Sequence, residues 1–391
     1  MEKSKVFIFI SLLLILVFIS PLLAAEEDSE EDNIILPDIT IYGEEEKEKE
    51  LLNRDPDVSA HDLDQEEILR PAGSLEDLYR VIQTLPGVVT AGDFSSIMYI
   101  RGGNVQETLT FLDDTLILNP YHMGIFSIFN NDLVESVDFY AGGFPAIYPN
   151  VLSGIVDVHY REGKRDGISG MADLSLISAK ARLEGPYLGE KGSYLLSARR
   201  TYYDLILAGL EKVDQEFDTD EIAVPSFYDI YGKFVQDVTP RNKLRLSLLR
   251  YADSVTLKEF EDPMNANAEP WKIEFEDVNN IVSLWWDFDI MPSLDIETGV
   301  SYTFVEYNGS IAGNNPIEGD AEADILYFKS GASIRPSSNH EIKTGVQTNQ
   351  VNINIHSLIP DSILYINFLG NYVSPLNSGK LPLDFKEELF D

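Results

Sequence analysis

From Gly167 onward, apolar and polar residues alternate in long runs. Leu244, Leu246 and Leu248 fall on one side of an extended chain, with Lys243, Arg245 and Ser247 on the other. Val282, Leu284, Trp286, Phe288 and Ile290 oppose Ser283, Trp285, Asp287 and Asp289 in the same way. Leu294, Ile296, Thr298, Val300, Tyr302 and Phe304 repeat the pattern against Asp295, Glu297, Gly299, Ser301 and Thr303. A period of two held over about 10 residues, with Trp and Tyr near the ends, predicts strands of a membrane β-barrel. Strands of a soluble sandwich are shorter, usually about 5–6 residues. Tight turns at Thr239-Pro240-Arg241-Asn242, Met291-Pro292-Ser293 and Arg335-Pro336-Ser337-Ser338-Asn339 separate longer polar stretches near 203–225, 252–270 and 308–322. Short turns on one side and long loops on the other are the asymmetry of outer-membrane barrels. The count is about eight strands between Gly167 and Val351, with the start of a ninth. The end, Lys380–Asp391, shows no alternating strand closing on an aromatic residue.

Ahead of this region the runs are shorter. Ile97–Ile100, Thr108–Leu112, Ser136–Tyr140 and Gly154–Tyr160 read as strands, and Arg101-Gly102-Gly103, Asp113-Asp114 and Ala141-Gly142-Gly143 as turns. Ser74 with Asp77 fits a capping box, followed by Leu75, Leu78, Tyr79, Ile82 and Leu85 at helical spacing. Leu85-Pro86-Gly87 ends that helix. The glycine pairs open no helix after a buried strand at phosphate-cradle spacing, so they read as turns.

Four of these segments, in order and at matching spacing, resemble the plug domain of TonB-dependent outer-membrane receptors. They are Ile100-Arg101-Gly102, Phe111-Leu112-Asp113-Asp114, Val134-Glu135-Ser136-Val137-Asp138-Phe139 and Gly142-Gly143-Phe144-Pro145-Ala146-Ile147-Tyr148. The sequence departs from the family at Tyr148-Pro149-Asn150, where many relatives have glycine. Proline fixes φ and removes a donor, so the local turn must differ. The resemblance implies an α+β plug, a small mixed sheet with short helices, over residues 58–166. An incomplete antiparallel transmembrane β-barrel of about eight or nine strands follows over 167–391. A plug does not fit inside so few strands, since plugged transporters have about 22. The chain therefore reads as the N-terminal portion of a longer receptor, or one half of a split gene.

Composition sharpens this picture. The formal charge of −37 lacks the basic footprint that nucleic acid requires. Cysteine is absent, and with it disulfides and thiolate chemistry. Lys3, Lys5, an apolar run from Val6 to Leu23 and Ala24-Ala25 form a secretory signal peptide over residues 1–25. Residues 26–57 are an acidic, disordered segment; from Glu26 to Arg70 there are 18 acidic against 4 basic residues. Within it lies one β-prone island, Ile34–Gly43. By resemblance, residues 38–43 occupy the place of a TonB box, and Asp38, Ile39, Thr40, Ile41 and Tyr42 would add a strand to the periplasmic partner TonB.

The resemblance also implies that Glu135 and Asp138 pair with arginines of the barrel wall, with Arg199 the candidate and Arg101 a further charge of that set. Charged pairs in a wet interface are worth modest energies and release under force. The five histidines, His61, His122, His159, His340 and His356, show no zinc spacing, and no nucleophile elbow, Walker loop or EF-hand loop is present. No enzyme activity, metal or cofactor is expected. The expected role is ligand uptake across a bacterial outer membrane. An external small ligand binds, TonB displaces the plug, and the complete barrel is a monomer surrounded by outer-membrane lipid. The alternative is a non-transporting binding or signal-transducing module in the same membrane.

Overall fold

The protein is described from a computed structural model. It defines residues 60–71, 73–189, 191–207, 224–260, 271–291, 293–312, 317–337 and 340–359, with further strand segments at 365–366, 372–373 and 381–390. Residues 1–25, expected to be a signal peptide, and the TonB-box-like segment 38–43 lie outside the described residues. The chain divides into two units between Arg161 and Glu162.

The first unit contains β1 (Ala60–Asp64), α1 (Gln65–Leu69), α2 (Leu78–Ile82), β2 (Val88–Thr90), β3 (Met98–Ile100), β4 (Thr108–Leu112), β5 (Thr115–Ile117), β6 (Tyr121–His122), β7 (Phe126–Ser127), β8 (Val134–Tyr140) and β9 (Gly154–Tyr160). Its main sheet runs β1-β8-β9-β4-β5. The β4–β9 pair is parallel and the others antiparallel, so the sheet is mixed. The central strand β9 is apolar where it is covered on both faces, and Ile155, Val156 and Val158 retain no exposed surface.

Helix α1 was not anticipated from the sequence. Its signal is a capping box, in which the Asp64 carboxylate accepts from Glu67 N at 2.8 Å and Glu67 reaches back to Asp64 N. Helix α2 starts later than the Ser74 box predicts. Leu75 and Glu76 are left-handed, with φ of +52° and +60°, so the true cap is Asp77, which accepts from Tyr79 N at 2.9 Å. Its face is still the expected one: Leu78, Tyr79 and Ile82 are buried, and Tyr79 Oη meets Thr110 Oγ1 at 2.7 Å.

The second unit is a ten-stranded antiparallel sheet taken in sequence order, open between edge strands β10 and β21. Its members are β10 (Ser169–Leu174), β11 (Ser178–Tyr187), β12 (Gly192–Thr201), β13 (Val224–Thr239), β14 (Asn242–Phe260), β15 (Trp271–Met291), β16 (Leu294–Ala312), β17 (Ile317–Ser337), β18 (His340–Ile359) and β21 (Leu381–Phe390). A separate pair joins β19 (Tyr365–Ile366) to β20 (Tyr372–Val373). The pairs Thr239↔Asn242, Met291↔Leu294 and Ser337↔His340 end the ladders within the three stretches read as tight turns. Two expectations are corrected. The polar stretch 308–322 is mostly ladder, because β16 and β17 continue to the pair Ile311↔Ile317. The C-terminal segment, expected to lack a strand, pairs with β18 through Leu381↔Ile359 to Phe390↔Gln350. Leu381, Leu383 and Phe385 do alternate with Pro382, Asp384 and Lys386.

The register fixes two unlike faces. Exposed Leu183, Leu196, Ile230, Trp286, Val300, Leu326, Phe328 and Val346 share one face. Lys180, Arg199, Asp229, Lys233, Asp253, Asp277, Ser283 and Ser301 lie on the other. Polar in and apolar out is the distribution of a wall between a wet lumen and lipid.

Candidate functional site

In the first unit, register rather than sequence proximity assembles a charged row. Asp62 of β1 pairs with Asp138 of β8, and Asp138 with Asp157 of β9. Directly paired residues share a face, so three carboxylates stand side by side across three strands. Like charges placed so are destabilising unless balanced. The balance comes from His159, two residues along β9, whose Nε2 lies 3.7 Å from Asp138 Oδ2 and 3.8 Å from Asp157 Oδ1. Tyr148 donates its hydroxyl to Asp157 Oδ2 at 2.6 Å.

Burial pushes the Asp157 carboxyl up to about 6, against the lowering influence of His159 and of the Tyr148 hydrogen bond. Burial also opposes charge on His159. The neighbouring Asp138, Asp157, Asp114 and Asp113 outweigh it and raise the imidazole to about 10. His159 is therefore a cation at neutral pH. Tyr148 is pushed far up by burial and by Asp157, so it stays a donor.

The turns around this row follow from backbone geometry. Asp113 and Asp114 both have positive φ, +48° and +66°, which closes the two-residue β4–β5 hairpin. Asp113 also accepts from Tyr160 N at 3.1 Å, tying the hairpin to β9. Asn150 takes the left-handed conformation, φ +62°, after the Pro149 that departs from the family pattern. Asparagine tolerates that region better than most residues.

Among the anticipated site residues, Arg101 and Glu135 are exposed and Asp138 is half-buried. Arg101 has φ +49°, and its guanidinium crosses Gly142, where a Cβ would come within 2.6 Å of Nη1. Glu135 stands at the β8–β9 bulge between Val134 and Ser136. Asp138 has the histidine contact described above. In the second unit Arg199 is buried, donates through Nε to Asp229 Oδ2 at 2.6 Å and lies over the Phe227 ring at 5.1 Å. Its partner here is thus on the adjacent strand of its own sheet.

Sequence reasoning missed a second cluster, at the start of the second unit. Glu162 accepts from Lys243 Nζ at 2.6 Å and from Arg165 Nη2 at 2.9 Å, while Arg165 also pairs with Asp237. The two cations hold the Glu162 carboxyl below its ordinary range despite its burial. No short motif could reveal it, because Glu162 and Lys243 are far apart in the chain. Among the described residues, no group of three or more His, Cys, Asp or Glu is placed to hold a metal ion.

Residues 53–155 match the family model described as the TonB-dependent receptor plug domain. This segment is a plug domain of the TonB-dependent receptor kind. The chain's fold is similar to that of the ferric-catecholate import receptor Fiu of E. coli K12, at TM-score 0.55 and 12% identity, over 83% of this chain and 54% of that one. It is similar to the ferric citrate transporter FecA, at 0.55 and 14%, over 85% and 51%. The siderophore receptor PiuA of Acinetobacter baumannii gives 0.52 and 11%, over 85% and 53%. These are likenesses of fold, and the chain spans about half the length of those structures. No curated protein sequence matches it.

Proposed function

We propose that this chain is the N-terminal part of a TonB-dependent outer-membrane receptor that admits an external ligand to the periplasm. The observation that carries the reading is a plug domain followed at once by an antiparallel sheet with one apolar and one charged face. A plug needs a wall to seat in, and a wall with that distribution needs lipid on one side and water on the other. The work required is mechanical, and covalent chemistry has no part in it.

In this reading Asp38, Ile39, Thr40, Ile41 and Tyr42 form the strand that TonB grips by β-augmentation. Arg101, Glu135 and Asp138 are the plug's contribution to releasable ion pairs with the wall, and Arg199 is available to them by exchange from Asp229. Such an exchange requires a plug carboxylate to replace Asp229 directly, because a buried charge left unpaired is costly. The receptor sits in the outer membrane of a Gram-negative-type bacterium, with its plug towards the periplasm.

The test is deletion of Asp38–Tyr42 in the receptor, with ligand binding and uptake measured separately. Retained binding with uptake lost supports energy-coupled transport. Ligand binding with no uptake even before the deletion supports the alternative of a non-transporting binding or signal-transducing module, and uptake unchanged by the deletion contradicts the role given to Asp38–Tyr42.

A further inference from the structure

The geometry points to a fixed anchor at the exit of the plug: Glu162, Arg165, Asp237 and Lys243 clasp the chain to the wall so that plug displacement stops there. This inference rests on the proposed transport function and adds to it where the movement ends. All four residues belong to the second unit, which begins at Glu162. The clasp is a connected network, not an isolated pair. Glu162 takes two cations, and Arg165 is shared between Glu162 and Asp237. Once one long side chain is ordered, each further bridge loses less conformational freedom.

Backbone contacts reinforce it. Asp237 N donates to Lys191 O at 2.8 Å, fixing the carboxylate against the turn before β12. Gly163 lies so close to β12 that an added Cβ would stand 2.1 Å from the Tyr194 carbonyl oxygen. Only glycine permits that approach. The segment after the plug therefore touches β12, β13 and β14 before it enters β10.

The topology gives the clasp its mechanical sense. Among the described residues, force applied at the N-terminal end first meets β1, an edge strand whose ladder partner is β8. The chain leaves the plug through β9, which is bonded on both sides by β8 and β4. Displacement would start at the weakest, outermost strand and run towards the strongest. Beyond β9 the next resistance is the clasp, which keeps the C-terminal end of the plug in place for reseating.

The experiment is single-molecule extension of the receptor in outer-membrane patches, pulled from its N-terminal end. The wild-type receptor should show plug extension, then a distinct force peak at the chain length ending at Arg161, then extraction of wall strands. The variant D237N/K243Q should keep the plug events and lose that peak, and E162Q alone should lower it. A peak of unchanged position and force in both variants would overturn the anchor while leaving transport intact. If no plug extension precedes the wall strands even in the wild type, the transport reading itself fails.

Discussion

Asp138 and Asp157 face each other directly across β8 and β9, and one imidazole, that of His159, lies within 3.8 Å of both carboxylates. Two opposed aspartates would weaken the centre of the plug sheet. The cation between them turns the pair into a cross-strand tie.

The tie is pH-dependent, and its sign follows from the direction of the shifts. His159 is raised from 6.5 to about 10, so its contribution is whole below 6.5 and lost as pH rises through 10. Asp157 is raised from 3.8 to about 6, so its proton also favours the folded plug at low pH and is lost through that range. Unfolding of the purified receptor should show the plug transition weakening as pH rises from 6.5 to about 10. His159→Gln should remove most of this slope and lose about 1 kcal/mol at neutral pH. A variant with the wild-type slope would show that His159 does not carry the charge.

Tyr148→Phe removes the hydrogen bond to Asp157, whose other oxygen, Oδ1, is buried without a hydrogen-bond partner. The expected loss is about 1.5–3 kcal/mol, the range for hydrogen bonds to charged groups. The Asp157 carboxyl should titrate higher than in the wild type, because that bond favours its ionised form. Chemical denaturation at two pH values measures both effects, and an unchanged midpoint would contradict the assignment.

Two glycines of the plug should respond differently to alanine. At Gly154 a Cβ would meet Ile100 Cδ1 at 2.4 Å and the Tyr140 carbonyl oxygen at 3.2 Å, an overpacking that costs about 1–3 kcal/mol. At Gly102 nothing lies within 4 Å, but φ is +81°, so the cost is backbone strain of about 1 kcal/mol. Pairing Gly154→Ala with a smaller residue at Ile100 should recover stability, whereas no neighbouring change should help Gly102→Ala.

The two faces of the wall should tolerate charge differently. Leu326→Arg, on the apolar face, should lower stability in the bilayer by about 2–4 kcal/mol if it lies near mid-depth. Gln347→Glu, on the polar face opposite Lys329, should be nearly neutral. Heat-induced mobility shifts of the membrane-extracted protein compare the two. Equal losses would remove the assignment of faces.

Much of this was legible because it is local. Thr108–Leu112 and Gly154–Tyr160 are strands over the residues their alternation marks, and Asp113-Asp114 closes the hairpin that its composition suggests. The period of two in Leu244–Leu248 and Val282–Ile290 separates the wall's faces as the register does. What the sequence hid depends on pairing between distant strands. The parallel β4–β9 pair, the row Asp62-Asp138-Asp157 and the clasp from Glu162 to Lys243 exist only once register is fixed. The start of α2 was misplaced for a different reason. Ser74 and Asp77 imitate a capping box, but Leu75 and Glu76 adopt left-handed backbone, which side-chain periodicity does not report.

The most direct test of a sheet with one lipid-facing side places spin labels at neighbouring positions of β16 in the membrane-embedded receptor. The chain contains no cysteine, so Val300→Cys or Ser301→Cys introduces its one attachment point, with any thiol elsewhere in the receptor replaced by serine. The account predicts that the label at 300 is relaxed by oxygen dissolved in lipid and shielded from an aqueous nickel chelate, while the label at 301 is not reached by lipid oxygen. Equal access of the nickel chelate to both positions would contradict it.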